Sequence, residues 1–196
     1  MHPAILLLEF DSIAMGIVVG DAMAKRAELG TLHTGTVQPG RYLVLAGGEV
    51  GHVEEARAAG KERAQTALID EIYLPEVHPE VVDAMVGSRR ASSGAALGVV
   101  ETRSVAAIIG VADAGVKAAE VGILQIRMAD GLGGKGYVLF SGEVHNVEAA
   151  VDGGVASLES ADLLVARVVI PQIHQEMLDN LLTDAEFAPR VRSYQP

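Results

Sequence analysis

The chain contains no cysteine and no tryptophan, and only three phenylalanines and four tyrosines among its 196 residues. Zero cysteine removes disulfides, thiolate metal sites, cysteine-ligated iron–sulfur clusters and cysteine nucleophiles together, and is compatible with a reducing cytosol. So few aromatic rings leave no stacking platform for bases. Basic residues are scarce too: 15 Lys and Arg stand against 26 Asp and Glu, giving a formal charge of −11. Without a run of Lys or Arg there is no basic face to neutralise phosphates, and nucleic acid is set aside as a partner. Uninterrupted apolar runs of membrane length are also missing. The apolar stretch from Leu97 to Leu124 carries Glu101, Arg103, Asp113, Lys117 and Glu120, too many charges for a membrane span. Ala4 to Leu8 lacks a basic flank and meets Glu9 and Asp11 at once, which argues against a secretory signal.

What is abundant is small and apolar. Hydrophobic residues make up 49% of the chain, mostly Ala, Val, Ile and Leu, and there are 22 glycines. This is a globular composition with enough apolar surface for a sizeable core, one that packs small side chains at close backbone approach.

The chain also repeats itself, the sign of a duplicated architecture. Residues Glu9 to Gly30 align with Glu101 to Gly122 at a constant offset, with identities at Glu9/Glu101, Ser12/Ser104, Ala14/Ala106, Ile17/Ile109, Val19/Val111, Asp21/Asp113, Lys25/Lys117 and Gly30/Gly122, among others. Gly48-Glu49-Val50 then meets Gly142-Glu143-Val144, and Pro75-x-x-His78 meets Pro171-x-x-His174. The Gly/Ser-rich segment between the copies reads as a linker. The boundaries that follow are a first domain over 1–87, a linker over 88–94, a second domain over 95–182 and a C-terminal extension over 183–196, read as a surface extension without activity.

Each copy spells the same elements. Ile5 to Phe10 is a run of strand length; Ser12 caps a helix whose apolar residues Ile13, Ile17, Met23 and Ala27 recur at helical intervals, and Gly30 is expected to stop it. Ser104 and Gly122 bracket the second copy alike. Two extended runs separated by a Gly/Pro-rich loop follow, Thr31 to Val37 and Arg41 to Leu45, mirrored by Ile123 to Met128 and Tyr137 to Phe140. A helix over Val53 to Ala64 or Val147 to Leu158 comes next, then a strand over Leu68 to Leu74 or Leu163 to Ile170, and a short terminal helix. The order βαββαβ plus a helix predicts an α/β (α+β) chain, a tandem duplication of a ferredoxin-like unit. The more heavily charged Val53 to Ala64 helix should face solvent more fully than its counterpart. The segment Ala106 to Ala112 is small and apolar nearly all round, which predicts a helix covered by its own sheet and by a neighbour, and suggests an oligomer.

Motifs with chemical meaning are few. Gly131-Leu132-Gly133-Gly134-Lys135-Gly136 satisfies G-x-G-x-x-G literally, but a dinucleotide site needs a helix after the glycines, and Tyr137-Val138-Leu139-Phe140 continues as a strand. A permissive loop between strands is the expectation. The six histidines show no H-x-x-x-H or H-E-x-x-H spacing. His78 and His174 hold equivalent places, which points to a repeated structural role at a helix start. Ser92, Ser93 and Ser141 lack a nucleophile elbow, and Glu54-Glu55 and Asp70-Glu71 read as solvated charges. Nothing argues for an enzyme, a metal or a cofactor.

The repeated E-x-x-S-x-x-x-x-I-x-V-x-D-A-x-x-K-x-A-E-x-G block, the glycine-containing loop between two strands, the G-E-V before the second helix and the V-V-I-P-x-x-H close of copy two resemble the shell-protein domain of bacterial microcompartments. The resemblance covers about residues 4 to 182. Two copies in one chain are similar to the tandem, trimer-forming class, and Gly16, Asp21-Ala22-Met23, Pro39-Gly40, Val99-Val100-Glu101-Thr102 and Gly133-Gly134-Lys135 fit the T-type found in propanediol-utilising compartments. This resemblance implies a pseudohexameric homotrimer that tiles with other microcompartment shell proteins into a shell within the cytoplasm and is pierced on its axis for small metabolites, with no nucleic acid or membrane as partner. It places Val37, Gln38, Pro39 and Gly40 of copy one and Asp130, Gly131, Leu132 and Gly133 of copy two around the pore. It places Lys25, Lys117, Glu76, His78, Gln172 and His174 at the edges between tiles. The T-type carries a cluster-binding cysteine in the first loop where this chain has Gln38, so no iron–sulfur cluster is expected. The P-R-P-H close common in the family is here Glu76-Val77 and Gln172-Ile173. A ferredoxin-like regulatory module binding a small ligand at a domain or trimer interface is the alternative, since fold alone does not fix function.

Overall fold

The computed structural model describes residues 4–183. The first copy forms β1 (Ala4–Phe10), α1 (Ile13–Arg26), β2 (Thr31–Val37), β3 (Arg41–Gly48), α2 (Val50–Ala64), β4 (Leu68–Leu74) and α3 (Pro79–Met85). The second forms β5 (Ala96–Thr102), α4 (Val105–Ala118), β6 (Gly122–Met128), β7 (Gly136–Gly142), α5 (Val144–Ala156), β8 (Leu164–Ile170) and α6 (Gln175–Leu182), with one 3₁₀ turn before β8. Each copy builds a four-stranded antiparallel sheet, in the orders β2-β3-β1-β4 and β6-β7-β5-β8. This is the duplicated βαββαβ arrangement expected from the sequence. Even the registers repeat: Glu9 faces Asp70 as Glu101 faces Ala166, and a bulge follows each glutamate.

Local chemistry explains the boundaries. Ser12 Oγ accepts from the Met15 N–H at 3.3 Å and Ser104 Oγ from the Ala107 N–H at 3.1 Å, so both cap serines satisfy an amide that the helix leaves free. The glycine stops are a correction. The first helices end at Arg26 and Ala118, where Ala27 and Ala119 turn extended, and Gly122 already opens β6. The second helices start at Val50 and Val144, three residues earlier than expected. Exposure of α2 exceeds that of α5, as the charge pattern indicated. In α2, Arg57 and Lys61 hold Glu71 of β4 at 2.6 and 2.7 Å. Burial pushes the Glu71 carboxyl up, but the two cations outweigh it and hold it below its usual range.

The expectation of a doubly covered helix holds, with a change of neighbour. α4 lies on its own sheet and also against β4 and β1 of the first copy, so the second layer comes from the same chain. Its core draws in Ile5, Leu7, Val77, Val81 and Ala84 from the first copy. Helix α3, first by sequence, therefore packs on β6 and α4 of the second domain. Helix α6 has no such neighbour and folds back over its own sheet, with Leu178 and Leu181 on Leu97, Leu124 and Leu139. The linker is tied down: the Arg90 N–H donates to the Ile123 carbonyl at 2.8 Å and the Ser92 N–H to Ser141 Oγ at 3.1 Å. The expected C-terminal extension lies, beyond Thr183, outside the described residues.

The two domains share a backbone but exchange volume. A Cβ on Gly16 would fall 2.4 Å from Tyr42. The equivalent pair is Ile108 and Gly136, where the glycine has changed sides and a Cβ would fall 2.5 Å from Ile108. Gly115 likewise leaves room for Phe140, 2.5 Å from where its Cβ would stand, while the equivalents Met23 and Ala46 are both fully buried. Each contact keeps one large and one small partner, as close packing requires. Gly16→Ile alone should therefore cost about 1–3 kcal/mol from overpacking, and adding Tyr42→Gly should recover most of that loss. Urea unfolding measures both, and purely additive losses would show that the pair is not coupled.

Candidate functional site

Glu9 is the last residue but one of the apolar strand β1 and is fully buried. One carboxylate oxygen accepts from Arg41 Nη1 at 2.5 Å and the other from the Val105 N–H at 2.9 Å. Val105 is the first residue of α4, so a carboxylate of the first domain sits at the helix amino end of the second, where amides are free and the dipole favours negative charge. Arg41 also donates to the carbonyls of Arg103 and Gly134, both at 3.3 Å. Beside them Ser104 Oγ donates to Asp70. Further along, the His78 N–H donates to Asp113 at 2.8 Å and the Ile123 N–H to Glu80 at 2.5 Å. Burial pushes the Glu9 carboxyl above its usual range, and the Arg41 and Val105 hydrogen bonds offset only part of that rise.

This junction brings the two strand-connecting loops together. In the first, the Gly40 N–H closes a turn onto the Val37 carbonyl at 3.0 Å, with Gly40 at a φ of 98° that suits glycine. In the second, the Ala129 N–H reaches the Lys135 carbonyl at 3.0 Å and the Leu132 N–H the Ala129 carbonyl at 2.9 Å. The literal G-x-G-x-x-G thus turns the chain between β6 and β7, with no helix after it. A Cβ on Gly134 would fall 3.0 Å from Pro39 and from the Arg41 guanidinium, so the loops touch. Gln38, Pro39, Gly40, Asp130, Gly131 and Gly133 are exposed, whereas Val37 and Leu132 are half-buried.

The expected edge residues divide into two groups. Lys117 Nζ lies 2.6 Å from Asp113 and 2.6 Å from the Glu76 carbonyl, so it joins the junction while its side chain stays 46% exposed. Among the described residues Lys25 pairs only with Asp21, at 2.6 Å, and is 74% exposed. His78 has the structural role assigned to it: its Nδ1 accepts from the Glu80 N–H at 3.3 Å and caps α3. His174 stands at the start of α6 without a side-chain cap, and it and Gln172 are exposed. Sequence reading passed over Glu9, Arg41 and Ser104 as a joined set. The available signal was an acid inside the run Ala4 to Phe10, repeated at Glu101 and followed each time by a cap serine.

Comparison with known proteins agrees with the duplicated fold. The BMC domain matches residues 4–77 and again residues 96–173. The chain is 42% identical over 177 residues to the bacterial microcompartment shell protein PduT of Citrobacter freundii, covering 90% of this chain and 96% of that protein. One copy's length matches the carboxysome shell protein CsoS1C of Halothiobacillus neapolitanus, 41% identical over 98 residues, which is 48% of this chain and 95% of that protein. Among solved structures, a microcompartments protein from Desulfitobacterium hafniense DCB superposes with a TM-score of 0.77 at 39% identity, covering 90% of this chain and 98% of that one.

Two substitutions test the junction. Arg41→Ala leaves a buried carboxylate without its cation and should cost about 3 kcal/mol or more. Because Glu9 binds its proton at a higher pH in the folded chain than in the unfolded one, its titration favours the fold below the unfolded carboxylate range, near about pH 4.3. That contribution is lost as pH rises through the folded value. The stability of the natural chain relative to Glu9→Gln should therefore grow on acidification from neutral pH. Denaturant unfolding of both proteins over that range measures it, and a difference that shrinks toward low pH would reverse the sign argued here.

Proposed function

Because the chain belongs to the BMC-domain family of microcompartment shell proteins and carries the domain twice, we propose that it closes into a homotrimer of six domains that serves as a non-catalytic shell tile. One observation carries the reading. On α4 the face containing Val105, Ala106 and Ile109 is fully buried against the first domain. On α1 the equivalent face is bare, with Ile13 40%, Ile17 54% and Val18 48% exposed. A heterologous junction used once within the chain has a free half at each end, and repetition of it round an axis closes a ring.

In this reading the junction between β1, β4 and α4 recurs between chains, and the paired loops face the axis. Gln38 then supplies a ring of neutral amides, donor and acceptor at once, suited to uncharged or weakly anionic metabolites, and no thiolate for a metal cluster. Lys25 and Lys117, both partly exposed, line the rim and meet neighbouring tiles of this chain or of other shell proteins. Each such contact contributes about 0–1 kcal/mol, and multiplicity around the rim supplies the rest. The alternative, a ligand-binding regulatory module, would need convergent polar groups. The polar cleft at the domain interface, lined by His78, Glu80, Arg90 and Ser92, has its groups engaged within the chain: His78 accepts from the Glu80 N–H, and the Glu80 carboxylate holds the Ile123 N–H and faces Arg90 at 3.6 Å.

Native mass spectrometry at micromolar concentration should find three times the 20.4 kDa chain mass, and a monomer would overturn the proposal. Overexpressed protein should form sheets or tubes in electron micrographs. Lys25→Ala combined with Lys117→Ala should leave the trimer folded and abolish the sheets, whereas unaltered sheets would remove these lysines from the rim.

A further inference from the structure

The two sheets differ by one residue, and the difference leaves a groove. In the second domain the pairing of β6 with β7 skips from Ile123 opposite Phe140 to Gln125 opposite Leu139, so Leu124 is the extra residue of a bulge. Its side chain is 3% exposed and packs with Leu97, Leu139, Leu178 and Leu181, filling the angle between the sheet and α6. In the first domain β2 pairs with β3 without a skip, Leu32 opposite Ala46 and His33 opposite Leu45. The repeat puts Ile5, Leu45, Val82 and Met85 in the places of Leu97, Leu139, Leu178 and Leu181, but among the described residues none takes the place of Leu124. What remains there is a groove of about 270 Å³, lined by those four residues with Val86 and Met128 and edged by Thr31 and His33. Val86 on its rim is 79% exposed, the highest value of any large apolar residue described.

The described chain ends within reach of that rim. Arg89, three residues past Val86, donates to the Leu182 carbonyl and, at 3.3 Å, to that of Thr183. Thr183 is therefore held within about 10 Å of chain and one arginine side chain of Val86. Residues 184–196 follow, up to about 45 Å when extended. The chain has three phenylalanines. Phe10 and Phe140 are fully buried, one in each domain. The third, Phe187, comes four residues after Thr183, a reach of about 13 Å.

We propose that the groove is the seat of this chain's own C-terminal segment, with Phe187 in the volume that Leu124 fills in the second domain. A phenylalanine side chain buries about 150–250 Å², and the thioethers of Met85 and Met128 are favourable neighbours for its ring. Tethering decides the occupant. A segment leaving the fold at Arg89 meets the groove at an effective concentration on the order of millimolar, which a partner protein or a second copy must exceed to displace it. The two domains then complete the same face by different means. The second uses one residue added inside a strand, and the first uses one added beyond the last helix.

The absence of native cysteine permits a direct test. In the full chain carrying Val86→Cys and Ala188→Cys, a short bismaleimide should join the two positions within one chain, read by mass spectrometry as a single chain plus one linker. Adding Phe187→Ala should slow that reaction at least about tenfold, because the anchoring side chain is gone. Linkage between chains instead of within one, or a rate that Phe187→Ala leaves unchanged, overturns the proposal. Trypsin gives a second readout that needs no thiol. Cleavage after Arg190 tracks the fraction of time the segment is released, so Phe187→Ala and Val86→Asp should each quicken it at least about tenfold over the natural chain. Equal cleavage rates in all three proteins would show that the groove does not hold the segment.

Discussion

A single carboxylate, that of Glu9, joins the three parts on which the rest of the molecule depends: the central strand of the first sheet, the guanidinium of Arg41 beside the first loop, and the first amide of α4. An ionised group in an apolar strand is costly to bury, and it persists only when every acceptor position is used. Here the partners come from both domains, so parting the domains leaves Glu9 its cation Arg41 but strips the buried carboxylate of the Val105 amide. The same bond is directional. It fixes the amino end of α4 against the first sheet, which in turn brings Gly110 over Ile72, delivers α3 to β6, and sets the two loops side by side.

Much of this fold was legible in the sequence because it is written twice. A cap serine alone is weak, but Ser12 and Ser104 at identical places in similar blocks are not, and the order of elements and the place of His78 and His174 at helix starts followed from comparing the copies, although of the two only His78 caps its helix. Boundaries were read less well. Gly30 and Gly122 looked like helix stops, yet the helices end at Arg26 and Ala118 because the chain must already be extended to enter β2 and β6. The junction itself was hidden for a physical reason. Glu9 meets Val105 across nearly a hundred positions, and no local periodicity encodes which helix a buried acid will face. The all-round apolar character of Ala106 to Ala112 announced a covering layer without saying that it came from the same chain.

The duplicated domains also show how a repeated backbone accommodates different side chains. Gly16 with Tyr42 and Ile108 with Gly136 occupy one place in two ways, each filled and each internally consistent. A domain can drift in sequence along such paired exchanges without its sheet or helices moving, because the packed volume of the pair is held while its distribution changes. The surface between the domains is subject to the same rule. Gly110 of α4 makes room there for Ile72 of β4.

The tied linker has one more consequence. Arg90 and Ser92 bind the edge of the second sheet, so the two domains are held at a fixed separation and angle before any other chain arrives. A ring made from separate domains loses translational and rotational freedom for every member it recruits. In the proposed trimer of two-domain chains, most of those losses would be met during folding, by a few residues of covalent connection. In the proposed trimer every chain would therefore bring one corner already formed, and growth would begin from an angle already set.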